Sequence, residues 1–178
     1  MSGDSREIIY WDSCIFIAFL KGENHGESAT EAIRIQAAEF DANKIVLATS
    51  TVGVMEVLSM KLEDEVKDKL EKMIRRSNFI LIETNEFVAR KAAILRNHCY
   101  TKSKEAGKLE FKISPADAIH VSSGMAVEAS KIVTTDKKDK KGKGELGMVS
   151  IASFYPVTGL PSTPIIYPSL GASGDKLL

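Results

Sequence analysis

The chain has 178 residues, 44% of them hydrophobic and 27% charged, a composition that excludes wholesale disorder and the collagen-like and coiled-coil classes. Its 24 basic residues balance 24 acidic ones, so no uniform positive field exists and any grip on nucleic acid must come from segregated charge. Two cysteines without C-x-x-C spacing and three scattered histidines give neither a disulfide framework nor a zinc pattern, which fits a reduced, cytoplasmic setting.

In chain order, the apolar run 8–11 reads as a first strand and ends at Asp12. Ala32, Ile33, Gln36, Ala37 and Phe40 line one face of a helix, and residues 45–48 read as a second strand. Thr49-Ser50-Thr51 then opens a helix that carries Glu56 among Val52, Val54, Met55, Val57 and Leu58. Val66, Leu70, Met73 and Ile74 fall at helical spacing, residues 79–82 read as a third strand, and Phe87, Ala92, Leu95 and Cys99 suggest another helical stripe.

A lysine-rich stretch, 101–112, reads as a loop or helix end. Ser114 at the N-cap, Pro115 at N1 and Asp117 at N3 mark the start of the next helix, because Pro lacks only an N–H that has no partner there anyway. Residues 132–134 read as a fourth strand with Asp136 just beyond it, followed by Lys137, Lys138, Lys140, Lys141 and Lys143. The run 148–151 is the expected fifth strand.

Each strand is nearly continuous in apolar character, as in a parallel sheet covered on both faces. Strand–helix alternation therefore predicts an α/β fold: a three-layer α/β/α domain with a mainly parallel sheet of about five strands, over residues 1–157. Residues 158–178 are proline-rich without amphipathic period and read as an extended or disordered tail, with Ile165, Ile166 and Tyr167 as its docking segment. No stretch approaches the roughly 18 apolar residues that a membrane span needs.

Ligands of open parallel sheets bind outside the carboxyl ends of the strands. Asp12, Glu56, Asp117 and Asp136 all fall at that rim. Each has an ordinary structural role open to it: Asp12 and Asp117 as helix caps, Asp136 in a turn, Glu56 on a solvated face. Together, four such carboxylates repel unless a cation intervenes. The hard ions Mg²⁺ and Mn²⁺ suit oxygen ligands, and the expected absence of His or Cys beside these acids points away from zinc.

The runs Ile8-Ile-Tyr-Trp-Asp12-Ser13, Thr49-Ser-Thr-Val-Gly-Val-Met-Glu56, Pro115-Ala-Asp117-Ala-Ile-His120 and Ile132-Val-Thr-Thr-Asp136 resemble the four acidic motifs of PIN-domain ribonucleases, many of which are VapC-type toxins. The resemblance spans roughly residues 6–157. It implies a metal-dependent endoribonuclease with Asp12, Glu56, Asp117 and Asp136 as the catalytic and metal-binding acids around Mg²⁺ or Mn²⁺, and Ser13 and Thr134 in support. It also brings in RNA as substrate, with Lys137 and Lys138 on the phosphate backbone, and an antitoxin protein and a homodimer as candidate partners. His120-Val-Ser-Ser-Gly departs from the small apolar residues usual after the third acid.

Three rival readings meet the same residues. A haloacid-dehalogenase-like phosphatase needs a second Asp two residues after the first, where Cys14 stands. A response-regulator receiver needs an Asp ending a middle strand, where Leu81-Ile82-Glu83-Thr84 offers only Glu83. A PIN-like RNA- or protein-binding module without catalysis would have no use for four gathered acids.

Overall fold

Short strands alternate with helices from the start of the chain. β1 (Ile8–Trp11) leads to α1 (Ser13–Lys21) and α2 (Glu27–Asp41), then β2 (Val46–Ser50), α3 (Thr51–Leu58) and α4 (Asp64–Ile74). β3 (Phe79–Ile82), α5 (Glu86–Glu105), α6 (Pro115–Ala126), β4 (Lys131–Val133), a 3-10 helix (Met148–Phe154) and β5 (Ile165–Ile166) complete the order. The computed structural model describes residues 6–105, 112–140 and 143–170, so Lys108, Lys141 and residues 171–178 of the expected tail lie outside the described residues.

The strands form one sheet in the order β3-β2-β1-β4-β5, and every pairing is parallel. Successive side chains of a strand point to opposite faces, and both faces are buried here. Ile9 and Trp11 join Leu47 and Val133 in a core with Ile15, Phe16, Ile33, Phe40 and Leu70. Tyr10 joins Ala48 and Ile132 in a second core with Val88, Leu95, Val121 and Met125. These are the two helical layers of the expected three-layer arrangement. Each Val, Leu, Ile, Phe or Met among them contributes about 1.5–3 kcal/mol by leaving water.

Two polar or glycine positions show how tightly the layers fit. Gln36 lies on the apolar stripe of α2 because its Oε1 accepts the indole N–H of Trp11 at 2.7 Å. Gly124 lets α6 approach β4, since a Cβ there would stand 2.7 Å from Cγ1 of Ile132.

Three sequence expectations change. Residues 148–151 are not a strand: Met148 and Ile151, three apart, are the buried pair, a spacing that suits a 3-10 turn. The fifth strand comes instead from the segment read as a tail. Ile165 and Ile166 pair with Ile132 and Val133, with Pro164 and Pro168 on either side, and the carbonyl of Ile166 accepts the Thr134 amide at 3.0 Å. A two-residue strand carries too little pattern to be read from sequence, and its pairing is entirely long-range. On α5, Phe87 is 57% exposed and Val88 holds the inward position, giving a buried stripe of Val88, Ala92, Leu95 and Cys99. The helix runs on through residues 101–105, the helix end allowed for in the reading of 101–112.

Because Ile165 is 5% exposed and sits at the end of the second core, Ile165→Ala should cost about 2–4 kcal/mol of unfolding free energy. A urea melt with an unchanged midpoint would show that the strand is only loosely attached.

Candidate active site

β1 lies between β2 and β4, and the chain first winds to one side of β1 and later to the other, so the switch point of the sheet is the crevice beyond the carboxyl ends of β1 and β4. The register pairs Trp11 with Val133. The next residues, Asp12 and Thr134, therefore face each other across the crevice. The Asp12 amide donates to the Val133 carbonyl at 3.1 Å, and the Thr134 hydroxyl donates to Oδ2 of Asp12 at 2.8 Å. The same hydroxyl accepts the Asp136 amide at 3.0 Å, which folds the chain back beside the strand.

Asp12 also caps α1, accepting the Ser13 amide on Oδ1 at 2.6 Å. Its structural and its expected chemical positions are thus one and the same. Asp117 sits in the first turn of α6, where Ser114 caps the helix: the Asp117 amide donates to the Ser114 hydroxyl at 3.0 Å, which in turn donates to Oδ2 of Asp117 at 2.6 Å. Glu56 projects from α3, whose N-cap is Ser50.

The four acids divide into two electrostatic groups. Burial pushes the Asp117 carboxyl above its ordinary pKa, and the charges of Asp12 and Asp136 push it further, against the Ser114 hydroxyl and His120. Asp136 is likewise raised by burial and by Asp12, opposed by Lys140 and by the amides of Met148 and Lys138. Asp12, Asp117 and Asp136 thus share one field of mutual repulsion. Glu56 is the opposite case: the hydrogen bond from His120 outweighs burial, a bond from Ser13 adds to it, and the carboxyl is held below its usual value.

His120 corrects the sequence reading. Scattered in sequence, it is not isolated in space: its Nε2 lies 2.9 Å from Oε2 of Glu56 and 3.4 Å from Oδ1 of Asp12, and the ring is 1% exposed. Ligand atoms of Asp12, Glu56 and His120 lie within 4.8 Å of one another. Burial alone would strip a proton from this ring, but Tyr10, Asp12 and Glu56 prevail and hold its pKa well above the ordinary value. The one available signal was spacing, since His120 follows Asp117 by three positions and so lies on the same helix face. Cys14 is also near, with Sγ 3.0 Å from Oδ2 of Asp12. Burial first, and Asp12 second, push this thiol up to about 12, so it is a neutral donor rather than a nucleophile. The expectation of no His or Cys beside the acids therefore fails, although the set remains dominated by oxygen.

The carboxylates of that set fit a hard divalent cation. Two carboxyls driven toward protonation by burial and by a third charge are relieved by one positive ion in their midst.

The end of the first lysine stretch pairs with the segment that follows the second: the Lys112 amide donates to the Gly144 carbonyl at 2.7 Å, and the Leu146 amide donates to the Lys112 carbonyl. Of the two lysines singled out, Lys137 lies 4.0 Å above the Tyr167 ring and Lys138 is exposed. Lys140, not singled out, is the one that approaches a site acid, 3.9 Å from Asp136.

The PIN domain family model matches residues 9–143. The chain belongs to that family. PIN domains are in general nucleases that use divalent ions. No curated protein matches the sequence. Among solved structures, VapBC2 from Rickettsia felis bound to a DNA fragment from its promoter superposes with a TM-score of 0.53 at 16% identity, covering 90% of this chain and 98% of that one. DNA-bound VapBC from Salmonella typhimurium gives 0.54 at 15% identity, over 90% and 98%. At such identities the likeness is one of fold. Among the described residues, no helix is long and apolar enough to cross a membrane.

Two outcomes follow from this geometry. A carboxyl whose pKa is raised by folding binds more protons folded than unfolded, so its contribution is favourable in acid and is lost as the pH rises from the ordinary value of 3.8 through the raised one. Asp117→Asn keeps an acceptor for Ser114 and removes that charge, so the metal-free variant should melt at or above the parent at neutral pH, with the gap closing in acid. A gap that widens in acid would contradict the repulsion. Thr134→Val deletes the hydroxyl that joins Asp12 to Asp136, and should weaken Mn²⁺ binding by about 10–100-fold as read by titration calorimetry.

Proposed function

We propose that this PIN protein is a divalent-metal-dependent endoribonuclease that hydrolyses RNA phosphodiester bonds, acting as the toxin of a toxin–antitoxin pair. The observation that carries the reading is the shared crevice of Asp12, Asp117 and Asp136, three acids from separate elements, in which burial and then the charge of Asp12 raise the pKa values of Asp117 and Asp136. These three would hold Mg²⁺ or Mn²⁺, with Glu56 at the border of the shell. When bound, such an ion supplies a water acidic enough to give hydroxide near neutral pH and offsets the charge of the scissile phosphate.

The chain's own groups have distinct tasks. Glu56, ionised and held by His120 and Ser13, is suited to orient the attacking water by accepting a hydrogen bond from it. Thr134 and Ser13 fix the orientation of Asp12. Lys137 and Lys138, exposed just beyond Asp136, are suited to hold the phosphate backbone and leave the chemistry to the acids. The fold shared with chains of VapBC complexes supports an antitoxin protein as partner, with a second copy of this chain as the other candidate.

Incubated with mixed RNA and MgCl₂, the protein should cut internally, stop when EDTA is added, and resume with Mg²⁺ or Mn²⁺ in excess. Asp117→Asn should lose about 10²-fold or more in rate. Cleavage that persists in EDTA, or in the Asn variant with an unchanged response to metal, would refute the assignment; cleavage of single-stranded DNA alone would move the substrate.

A further inference from the structure

We propose that His120 is a positioning residue, held by Tyr10 and a glycine slot in α3, whose Nε2–H aims the Glu56 carboxylate at the reaction centre. The inference rests on the nuclease reading above and adds to it a part that the four acids do not supply.

Both ring nitrogens are engaged. Nδ1 lies 2.8 Å from the Tyr10 hydroxyl, and Nε2 lies 2.9 Å from Oε2 of Glu56. With Tyr10 on Nδ1, the nitrogen turned to Glu56 is Nε2, and a carboxylate can only accept, so the proton between them sits on Nε2. Tyr10 is itself fixed: it is fully buried, its hydroxyl oxygen accepts the Ser50 amide at 3.1 Å, and its ring meets the imidazole edge-on at 77°. Ser50 is the N-cap of α3, the helix that carries Glu56. One tyrosine oxygen thus ties the start of that helix to the ring that grips its acid.

The slot is shaped for the ring. At Gly53, one turn before Glu56, a Cβ would stand 3.0 Å from Cε1 of His120 and 2.6 Å from Oγ1 of Thr49. The missing side chain lets the imidazole lie against the first turn of α3. With Oε2 bound to Nε2–H, and Ser13 as a second hydrogen-bond partner of the carboxylate, Glu56 loses most of its freedom to rotate. A side chain so ordered is in place before substrate arrives, and partners of this kind commonly affect metal-site activity by one to two decades. A ring with both nitrogens occupied is poorly placed to serve as a ligand, which separates positioning from direct coordination.

Three variants and one spectrum test this. His120→Ala should lower kcat for RNA cleavage about 10–100-fold with KM little changed. His120→Gln puts an amide N–H where Nε2–H stands and should recover most of that loss. Tyr10→Phe should lower kcat less than His120→Ala, and the double variant should be no worse than His120→Ala alone, because the two act through one contact. In the parent protein, ¹⁵N-edited NMR should show a proton on Nε2 of His120.

A folded His120→Ala protein within threefold of the parent in kcat would overturn the proposal, as would an unprotonated Nε2. Failure of Gln to rescue, together with lost Mn²⁺ affinity, would overturn it in favour of direct coordination. A parent protein inert on RNA would refute the nuclease reading alone; the Nε2 proton, and Mn²⁺ affinity across the same variants, would still decide whether His120 orders Glu56.

Discussion

The site depends on one alignment, the parallel pairing of β1 with β4 in the register that sets Trp11 against Val133. From that register alone, Asp12 and Thr134 become neighbours, and the threonine hydroxyl can serve Asp12 as a donor and the Asp136 amide as an acceptor. A slip of one residue would turn Asp12 away from the crevice, since alternate side chains of a strand face opposite layers. The apolar residues on the two faces of these strands, Ile9 and Trp11 on one and Tyr10 and Ile132 on the other, make that slip costly. Core packing therefore guards the chemistry.

The fold pays out stability at this crevice. Burying Asp117 and Asp136, and gathering them near Asp12, raises their pKa values, which means that the folded chain holds charges it would rather neutralise. Local rules are otherwise obeyed closely by: Asp12 and Ser114 cap helices as their residue types favour, and Pro115 takes the first helical position. Conflict concentrated at one place in an otherwise consistent structure is the usual mark of a functional site.

Much of this was legible beforehand. The four first strands, the α6 cap and the placement of four acids at one rim follow from apolar runs and turn chemistry over short windows of sequence. What escaped was non-local or ambiguous. The pair Met148 and Ile151 fits either a strand or a 3-10 turn until it is known that Ile165 and Ile166 occupy the place beside β4. Val88 rather than Phe87 faces inward because the phase of α5 is set by its packing on the second core, and neighbouring apolar residues leave that phase open. His120 was hidden because its partners, Tyr10 and Glu56, lie 110 and 64 positions away. Only the closure of α3 and α6 over β1 brings them together.

The small strand β5 has a further effect on how the molecule meets others of its kind. A sheet with a bare outer strand offers unpaired N–H and C=O groups on which another chain can crystallise into a continuing ladder. Here the last strand is two residues long and bracketed by Pro164 and Pro168, neither of which has an N–H to give. The side of the sheet nearest the acids is thereby a poor template for amyloid-like growth.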